Sequence, residues 1–290
     1  MKPARYDDSN VRTFNAKLED RALSAGSLVC VGLDPVRGRM PDGIPESITG
    51  VVQFCEALID ATSPYALAYK PNLAFFLAYG RGGLDALYQV CAALPDDIPV
   101  LLDCKTGDMA ATTTAYATAW FDELGVDAIT VNPYQGEDSL EPFLRYADKG
   151  VFVLTKTSNA GSGDLQDRTL SDTGQPLYEY VAARAAQWDQ DYPATVGLVA
   201  GATWPSQLAA IRALAPEQPI LLPGVGKQGG DLAGSLDAGL LANGAGVLCS
   251  SSRGIMYASS GEDFAEAAGS AAKVLRDQIN DIRAGVSSLA

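Results

Sequence analysis

The hydrophobic pattern alternates between two kinds of segment along most of the chain. Short, continuously apolar runs predict strands that are buried on both faces, as in parallel sheets. These runs cover residues 27–33, 65–69, 99–103, 128–131, 151–154, 195–199, 220–222 and 246–249. Between and around them lie segments whose apolar residues recur at helical spacing. The predicted helices cover residues 14–25, 48–61, 84–94, 109–124, 140–146, 177–190, 205–214, 235–241 and 264–282.

This alternation predicts one fold class. Eight strands, each followed by a helix, are typical of an α/β protein built as a (β/α)8 barrel, or TIM barrel. A doubly wound sheet is the alternative, but there a G-x-G-x-x-G turn normally follows the first strand, and Gly32-Leu33-Asp34-Pro35 lacks that spacing. We therefore expect residues 1–290 to form a single barrel domain whose functional residues lie at the carboxyl ends of the strands.

One connection is longer and more polar than the others. Residues 160–175 are rich in Gly, Asp, Ser and Thr, and a polar loop of this length in a compact domain is usually functional, often as a lid. A loop without a function is the alternative. We expect a lid-like loop at about residues 158–176, in which Gln166 and Arg168 are candidates for ligand contacts.

Composition narrows the function classes. Acidic residues outnumber basic residues by 35 to 21, and the formal charge of -14 argues against non-specific binding to nucleic acid or to anionic membranes. The sequence contains no histidine, which excludes His-based triads, His metal ligands and His acid–base catalysis. Proton transfer is left to Lys, Asp, Glu, Tyr or Cys.

Cysteine usage and hydropathy indicate a compartment. Cys30, Cys55, Cys91, Cys104 and Cys249 are odd in number and form no C-x-x-C pair, so neither a zinc site nor a disulfide framework is predicted. No apolar run approaches the roughly 20 residues that span a bilayer. We therefore expect a cytoplasmic protein that does not insert into a membrane.

The strand at residues 99–103 ends on three charges. Asp103, Lys105 and Asp108 are spaced D-x-K-x-x-D, and the period-2 alternation of a strand places Asp103 and Lys105 on the same face. A lysine held between two carboxylates keeps its charge and can donate a proton. A structural ion pair at a strand end explains the motif equally well.

Two other strands end on charges that would join this motif at one rim. Asp34 follows the first strand and Lys70 follows the second. Alternating charges suit the stabilisation of charge that develops on a substrate. An ion-pair network without a ligand is the alternative. Mg²⁺, which takes oxygen ligands, is disfavoured by the interleaved lysines.

The last two strands are followed by loops typical of phosphate binding. In (β/α)8 barrels the loops after the seventh and eighth strands often bind phosphate, and here they carry the glycine-rich residues 224–230 and Arg253-Gly254. Backbone N–H groups, the Gln228 amide and the Arg253 guanidinium are suitable donors. Two glycine turns beside a surface arginine are the alternative, and Lys227 could face phosphate or solvent.

Six motifs carry a resemblance to a known family. They are Val31-Gly32-Leu33-Asp34-Pro35, Lys70-Pro71-Asn72, Asp103-x-Lys105-x-x-Asp108-x-x-x-Thr112, Thr157-Ser158-Asn159, Pro223-Gly224-Val225-Gly226-x-Gln228-Gly229-Gly230 and Ser252-Arg253-Gly254. Over nearly its whole length the chain resembles orotidine 5'-phosphate decarboxylases, in particular their longer bacterial and archaeal branch (type 2). The resemblance implies a carboxy-lyase that uses neither cofactor nor metal and converts orotidine 5'-phosphate to UMP and carbon dioxide in pyrimidine biosynthesis.

The resemblance also implies catalytic roles. Lys105 would protonate C6 of the pyrimidine as carbon dioxide leaves, Asp103 would lie beside the scissile carboxylate, and Lys70 would bridge the charges. In the family, the last Asp of the motif and the Thr four residues later enter the neighbouring subunit's site. Asp108 and Thr112 therefore imply a homodimer with shared active sites.

The substrate-binding residues are implied in the same way. Asp34 would hold a ribose hydroxyl, and Ser158 would bind the pyrimidine edge. Gln228 and Arg253 would hold the phosphate.

Three positions depart from the family pattern. Thr106 stands where this branch usually has arginine, and Cys104 and Lys227 stand where alanine is commoner. No role falls on these positions, so activity is not put in doubt, although the missing cation at position 106 could change local pairing. Two other functions stay open: a Mg²⁺-dependent sugar-phosphate enzyme with the same D-x-K-x-x-D core, and a nucleotide-binding barrel without catalysis.

Overall fold

All eight predicted strands lie in one parallel sheet of the computed structural model, which describes residues 11–225 and 231–287. The strands are β1 (Val29–Leu33), β2 (Ala66–Pro71), β3 (Leu101–Thr106), β4 (Ala128–Val131), β5 (Gly150–Lys156), β6 (Thr195–Ala200), β7 (Ile220–Pro223) and β8 (Val247–Ser251). Their order is β2-β1-β8-β7-β6-β5-β4-β3. Parallel bridges from Tyr69 to Val100 and from Asn72 to Asp103 bring the two ends of the sheet together. The predicted (β/α)8 barrel is confirmed.

Helices connect the strands and follow the predicted order. They are α1 (Phe14–Ala25), α2 (Ile48–Thr62), α3 (Leu73–Leu77), α4 (Arg81–Ala92), α5 (Ala110–Ala117), α6 (Glu137–Leu144), α7 (Leu177–Asp191), α8 (Pro205–Leu214), α9 (Leu232–Gly239), α10 (Arg253–Met256) and α11 (Phe264–Ser287). The helix predicted over residues 109–124 is observed over residues 110–123, but its type changes, since α5 ends at Ala117 and a π-helical segment follows over Thr118–Glu123. The short helices α3 and α10 were not predicted, since each is a single turn without a periodic pattern.

Several strands run further toward their carboxyl ends than the hydrophobic pattern predicts. The pattern ends β2, β3 and β5 at residues 69, 103 and 154, whereas the strands continue to Pro71, Thr106 and Lys156. The additional residues include Lys70, Lys105 and Lys156. An apolar run marks only the part of a strand that crosses the core, so it ends where the side chains become polar.

Helix α1 covers the amino ends of the strands. Its first residue, Phe14, is fully buried and packs edge-on against the ring of Phe152, with 5.8 Å between the ring centroids. The Asn15 N–H donates to Thr195 Oγ1 at the start of β6 (3.3 Å). Burial of one such aromatic side chain contributes about 1.5–3 kcal/mol. With this end covered, the carboxyl ends of the strands carry the open side of the barrel.

Candidate active site

A cavity of about 450 Å³ lies at the carboxyl ends of the strands, and every strand or the loop that follows it contributes to its wall. Its ionisable lining residues are Asp34, Lys70, Asp103, Lys105 and Arg253. Ser158 also lines it, and Leu154, Val199, Leu221 and Val225 supply an apolar part of the wall. Six of the predicted site residues are therefore brought together around one cavity.

Lys70 is the most buried charge of this group, at 4% exposure. Its Nζ lies 3.4 Å from Asp103 Oδ2 and 4.0 Å from Asp34 Oδ1. Burial works against the ammonium form, but the negative charges of Asp34 and Asp103 outweigh it and raise the pKa of Lys70 above its usual value. The lysine between two carboxylates is thus Lys70, whereas the sequence motif predicted this position for Lys105.

Asp103 is held by four donors. Its Oδ1 accepts from Lys105 Nζ at 2.5 Å and from Thr130 Oγ1 at 2.9 Å. Its Oδ2 accepts from Asn72 Nδ2 at 3.0 Å and from Lys70 Nζ at 3.4 Å. Burial alone would raise the pKa of Asp103, but the two lysines and these hydrogen bonds lower it to about 2. The carboxylate is therefore ionised and fixed in place at neutral pH.

Lys105 has an unusual backbone conformation. Its φ of 50° makes it the one non-glycine residue with positive φ among residues 11–225 and 231–287. The pairing of β3 with β4 shifts between Leu102 and Thr106, so that three residues of β3 stand opposite one residue of β4. Asp103 and Lys105 both face the cavity as predicted, but they do so because this bulge re-aims the strand, rather than by regular alternation.

Asp34 lines the cavity, and one oxygen of its carboxylate has no hydrogen bond among the described residues. Its Oδ1 is buried and has no hydrogen-bond partner among the described residues, and Lys70 Nζ approaches it only to 4.0 Å. A buried carboxylate oxygen without a hydrogen bond is energetically costly unless a ligand donates to it. Because Asp34 lines the cavity, its carboxylate is placed to accept from a ligand hydroxyl.

The turn that carries Ser158 is fixed by its neighbours. The Thr157 N–H donates to Gln166 Oε1 (2.9 Å), and Trp204 Nε1 donates to the Thr157 carbonyl (3.0 Å). A Cβ at Gly201 would lie 2.7 Å from the Cα of Ser158, so only glycine permits this close approach. These contacts set the edge of the cavity at which Ser158 lies.

These features fit a known family. The profile of the orotidine 5'-phosphate decarboxylase / HUMPS family matches residues 27–268. The chain belongs to this family. The family expected from the six sequence motifs is confirmed.

Named relatives and solved structures of this family are similar along nearly all of the chain. An orotidine 5'-phosphate decarboxylase of Thermomicrobium roseum is 48% identical over 278 residues, which are 96% of this chain and 99% of that protein. The structure of Leishmania donovani OMP decarboxylase has a TM-score of 0.81 at 47% identity and covers 93% of this chain and 98% of its own. Leishmania donovani UMP synthase has a TM-score of 0.84 at 48% identity, and the match covers 93% of this chain but only 56% of that longer chain.

Two residues of the family motif lie away from the cavity. Asp108 is half-buried, and its Oδ1 accepts from the Met109 N–H at 2.7 Å. Thr112 is exposed on α5, close to the exposed side chain of Met109. Their predicted place in a neighbouring subunit's site stays a prediction. Gln228 and Lys227 lie outside the described residues.

The other two departures from the family pattern contact each other. Cys104 Sγ lies 3.2 Å from Thr106 Oγ1, and burial raises the pKa of the Cys104 thiol. The thiol is therefore neutral at physiological pH and behaves as a small apolar group with a weak hydrogen bond. Thr106 occupies the position of the missing arginine without adding a charge to the cavity.

A buried lysine was missed by the sequence analysis. Lys156, at the end of β5, is 1% exposed, and its Nζ donates to Asp167 Oδ1 (2.7 Å) and to Ser162 Oγ (3.0 Å). The ring of Trp204 lies 5.0 Å away. These contacts fasten the loop at residues 158–176 to the barrel beside Ser158. The sequence did contain a signal, since Lys156 follows the apolar run at residues 151–154 after a single threonine.

Gln166 and Arg168, the candidates for ligand contacts, bind residues in this loop or directly before it. Gln166 Nε2 donates to Thr157 Oγ1 at 2.9 Å, and Arg168 Nε donates to the Asp164 carbonyl at 3.1 Å. The loop includes a 3₁₀ turn over Ala160–Asp164. Its closure over a ligand stays a prediction.

The described residues contain neither a metal-ligand cluster nor a membrane-spanning helix. In residues 11–225 and 231–287, no group of three His, Cys, Asp or Glu side chains has an arrangement that could hold a metal ion. Within the same ranges, no helix combines the length and the apolar character needed to cross a bilayer. At the rim itself, the Lys70 ammonium lies between the carboxylates of Asp34 and Asp103.

Proposed function

We propose that this chain is an orotidine 5'-phosphate decarboxylase that forms UMP and carbon dioxide. The observation that carries the proposal is the charged array in which Asp103 accepts hydrogen bonds from both Lys70 and Lys105 at the wall of the cavity. Such an array is preorganised to stabilise negative charge that develops on a bound substrate. The 48% identity to a protein named for this activity supports the same reaction.

Lys105 is the proton donor in this proposal. As the bond between C6 and the carboxylate breaks, its electron pair stays on C6 and carbon dioxide leaves. The Lys105 ammonium stabilises the negative charge at C6 and then transfers a proton there, which forms the C6–H bond of UMP. The resulting neutral amine takes a proton from water before the next turnover. Asp103, fixed by four donors, holds the Lys105 ammonium in place.

The remaining lining residues bind the nucleotide. The carboxylate of Asp34, which lines the cavity, accepts from a ribose hydroxyl. Ser158 binds the pyrimidine edge, and Arg253 binds the phosphate together with Gln228. Phosphate binding is remote from C6 and contributes binding energy that positions the base.

Arg253 provides a test of the phosphate assignment. Replacing Arg253 with alanine is expected to weaken UMP binding and to raise KM for orotidine 5'-phosphate by roughly 10- to 100-fold, the size of one or two charge-assisted hydrogen bonds. Binding of uridine, which has no phosphate, should not change. Arg145→Ala, which removes a surface arginine paired with Glu141, is the matched control. Equal losses for UMP and uridine would contradict the assignment.

The main alternative is a Mg²⁺-dependent sugar-phosphate enzyme with the same core motif. A Mg²⁺ site needs several oxygen ligands that face one point, whereas the Asp34 and Asp103 carboxylates converge on the Lys70 ammonium. A catalytically inactive nucleotide-binding barrel is a second alternative. The charged array is complete, which favours an active enzyme.

A direct assay separates these functions. The purified protein is expected to consume orotidine 5'-phosphate with a change in absorbance, at a rate that is unaffected by millimolar EDTA. Activity abolished by EDTA and restored by Mg²⁺ would favour the metal-dependent alternative. Binding of UMP without any turnover would favour the inactive barrel.

We also propose a homodimer in which Asp108 and Thr112 complete the partner's active site. Their position outside the cavity of their own barrel supports it, as does the exposure of Met109 beside them. Cytoplasmic location stays a prediction that rests on cysteine usage.

A further inference from the structure

Thr130 lies at the centre of the bulge that carries the charged pair. It is 1% exposed and belongs to β4, the strand against which β3 loses its regular register. Its Oγ1 accepts from the Lys105 N–H (2.9 Å) and donates to Asp103 Oδ1 (2.9 Å). Its carbonyl accepts from Cys104 Sγ (3.4 Å). One residue therefore bonds to three consecutive residues of the bulge.

The hydrogen bond from the Lys105 N–H to Thr130 replaces a strand pairing that the bulge removes. Between Leu102 and Thr106, β3 has no paired residues on β4, so the Lys105 N–H has no ladder partner there. The Thr130 hydroxyl replaces that partner. It also ties down a left-handed residue, a conformation that costs free energy for any residue other than glycine and that persists only where surrounding contacts enforce it.

The direction of the second bond is fixed by proton count. A threonine hydroxyl has one proton to donate, and its lone pairs accept. Because the Lys105 N–H already donates to this oxygen, the hydroxyl proton is directed at Asp103 Oδ1. That bond is possible at full strength only with an ionised carboxylate, so the hydroxyl favours the charged form of Asp103.

We infer that Thr130 is a positioning residue for the reaction, which sets the carboxylate of Asp103 and the backbone of Lys105 through a single hydroxyl. The inference rests on the proposed function for its kinetic consequence. The hydrogen bond from the Lys105 N–H to Thr130 Oγ1 can be tested without any substrate. Nothing in the sequence indicates this role, because threonine is common in strands and Thr130 lies inside an otherwise apolar run.

Thr130→Val tests the inference, because valine keeps the shape and removes only the hydroxyl. We expect kcat/KM for orotidine 5'-phosphate to fall roughly 10- to 100-fold, the size of one hydrogen bond to a charged group. The loss should fall on kcat, while UMP affinity changes by less than about threefold, since Thr130 lines the cavity with only 1% of its surface exposed and its hydroxyl is directed at Asp103. Thr130→Ser, which retains the hydroxyl, should restore most of the rate.

Thr155→Val is the matched control. Thr155 is a buried strand threonine of β5 whose hydroxyl donates to the Val153 carbonyl, away from the charged pair. It should retain kcat/KM. The pKa of Asp103 is lowered to about 2, mainly by the two lysines, so loss of the Thr130 bond leaves the carboxyl ionised. The ratio of Thr130→Val to wild-type kcat/KM should therefore stay level between pH 7 and about 5, as should the ratio for Thr155→Val.

A second measurement does not depend on activity. Amide hydrogen exchange at Lys105 should accelerate in Thr130→Val relative to Leu101 and Leu102 of the same strand, and remain slow in Thr130→Ser. If the wild type does not turn over orotidine 5'-phosphate, the proposed function fails, yet the exchange result still decides whether Thr130 holds Lys105.

Two results would overturn the inference. One is Thr130→Val with wild-type kcat/KM and unchanged exchange at Lys105. The other is Thr130→Ser as impaired as Thr130→Val, which would show that the hydroxyl is not sufficient to position the charged pair. If Thr130→Val does not fold, the pair Thr130→Ser and Thr130→Ala decides. Both variants lack the threonine methyl group, and they differ from each other only in the hydroxyl. Equal rates for this pair would contradict the inference.

Discussion

Lys105→Ala is expected to lower kcat/KM for orotidine 5'-phosphate by at least about 10⁴-fold, because one substitution removes two contributions. General acid catalysis supplies about 10²–10⁴-fold, and a preorganised charge supplies about 10²–10³-fold. The Lys105 Nζ lies 2.5 Å from Asp103 Oδ1, so its position is fixed before substrate binds. The loss should appear in kcat, measured by the absorbance change on decarboxylation.

The folded state should survive this substitution. Lys105 is 48% exposed at the side chain, and Asp103 keeps its bonds to Lys70, Asn72 and Thr130. Thermal unfolding and UMP binding should therefore stay close to wild type. Lys273→Ala is the matched control, since it removes an exposed lysine paired with Asp277 on α11. A Lys105→Ala enzyme within tenfold of wild-type kcat would refute the role of Lys105.

The predicted boundaries of helices and strands are most accurate where residues such as proline mark where an element begins or ends. β4 is predicted at residues 128–131 and observed there, since Asn132-Pro133 ends it. α8 is likewise predicted and observed at residues 205–214, with Pro205 at its first turn, where a missing N–H costs nothing. Helix type is harder to predict than helix bounds: the change to a π-helical segment at Thr118, inside the helix predicted over residues 109–124, has no signal in the hydrophobic pattern.

The charged rim was predictable for a related reason. Asp34, Lys70, Asp103 and Lys105 each follow an apolar run, and parallel strands bring their carboxyl ends to one edge. The bonds among them were not predictable. They depend on the shift of β3 against β4, a property of two segments that are paired in space, and a single sequence carries no record of that pairing.

Mixing two inactive variants tests the shared site. Lys105→Ala and Asp108→Asn chains, each inactive as homodimers, should regain activity when subunits exchange. In a hybrid dimer, the barrel that keeps Lys105 receives the intact Asp108 of the other chain, so one of its two sites is complete. Random exchange makes half of the dimers hybrid, which gives about 25% of wild-type activity in a two-fold dimer.

The same experiment with Lys105→Ala and Asp103→Asn separates a shared site from other causes of recovery. Asp103 and Lys105 bond within one barrel, so each site of this hybrid lacks one of the two, and no activity should return. Mass spectrometry or differently tagged chains can measure the hybrid fraction in both mixtures. Hybrids of Lys105→Ala with Asp108→Asn that form but stay inactive would place Asp108 outside the partner's site, and recovery in both mixtures would point to a cause other than subunit sharing.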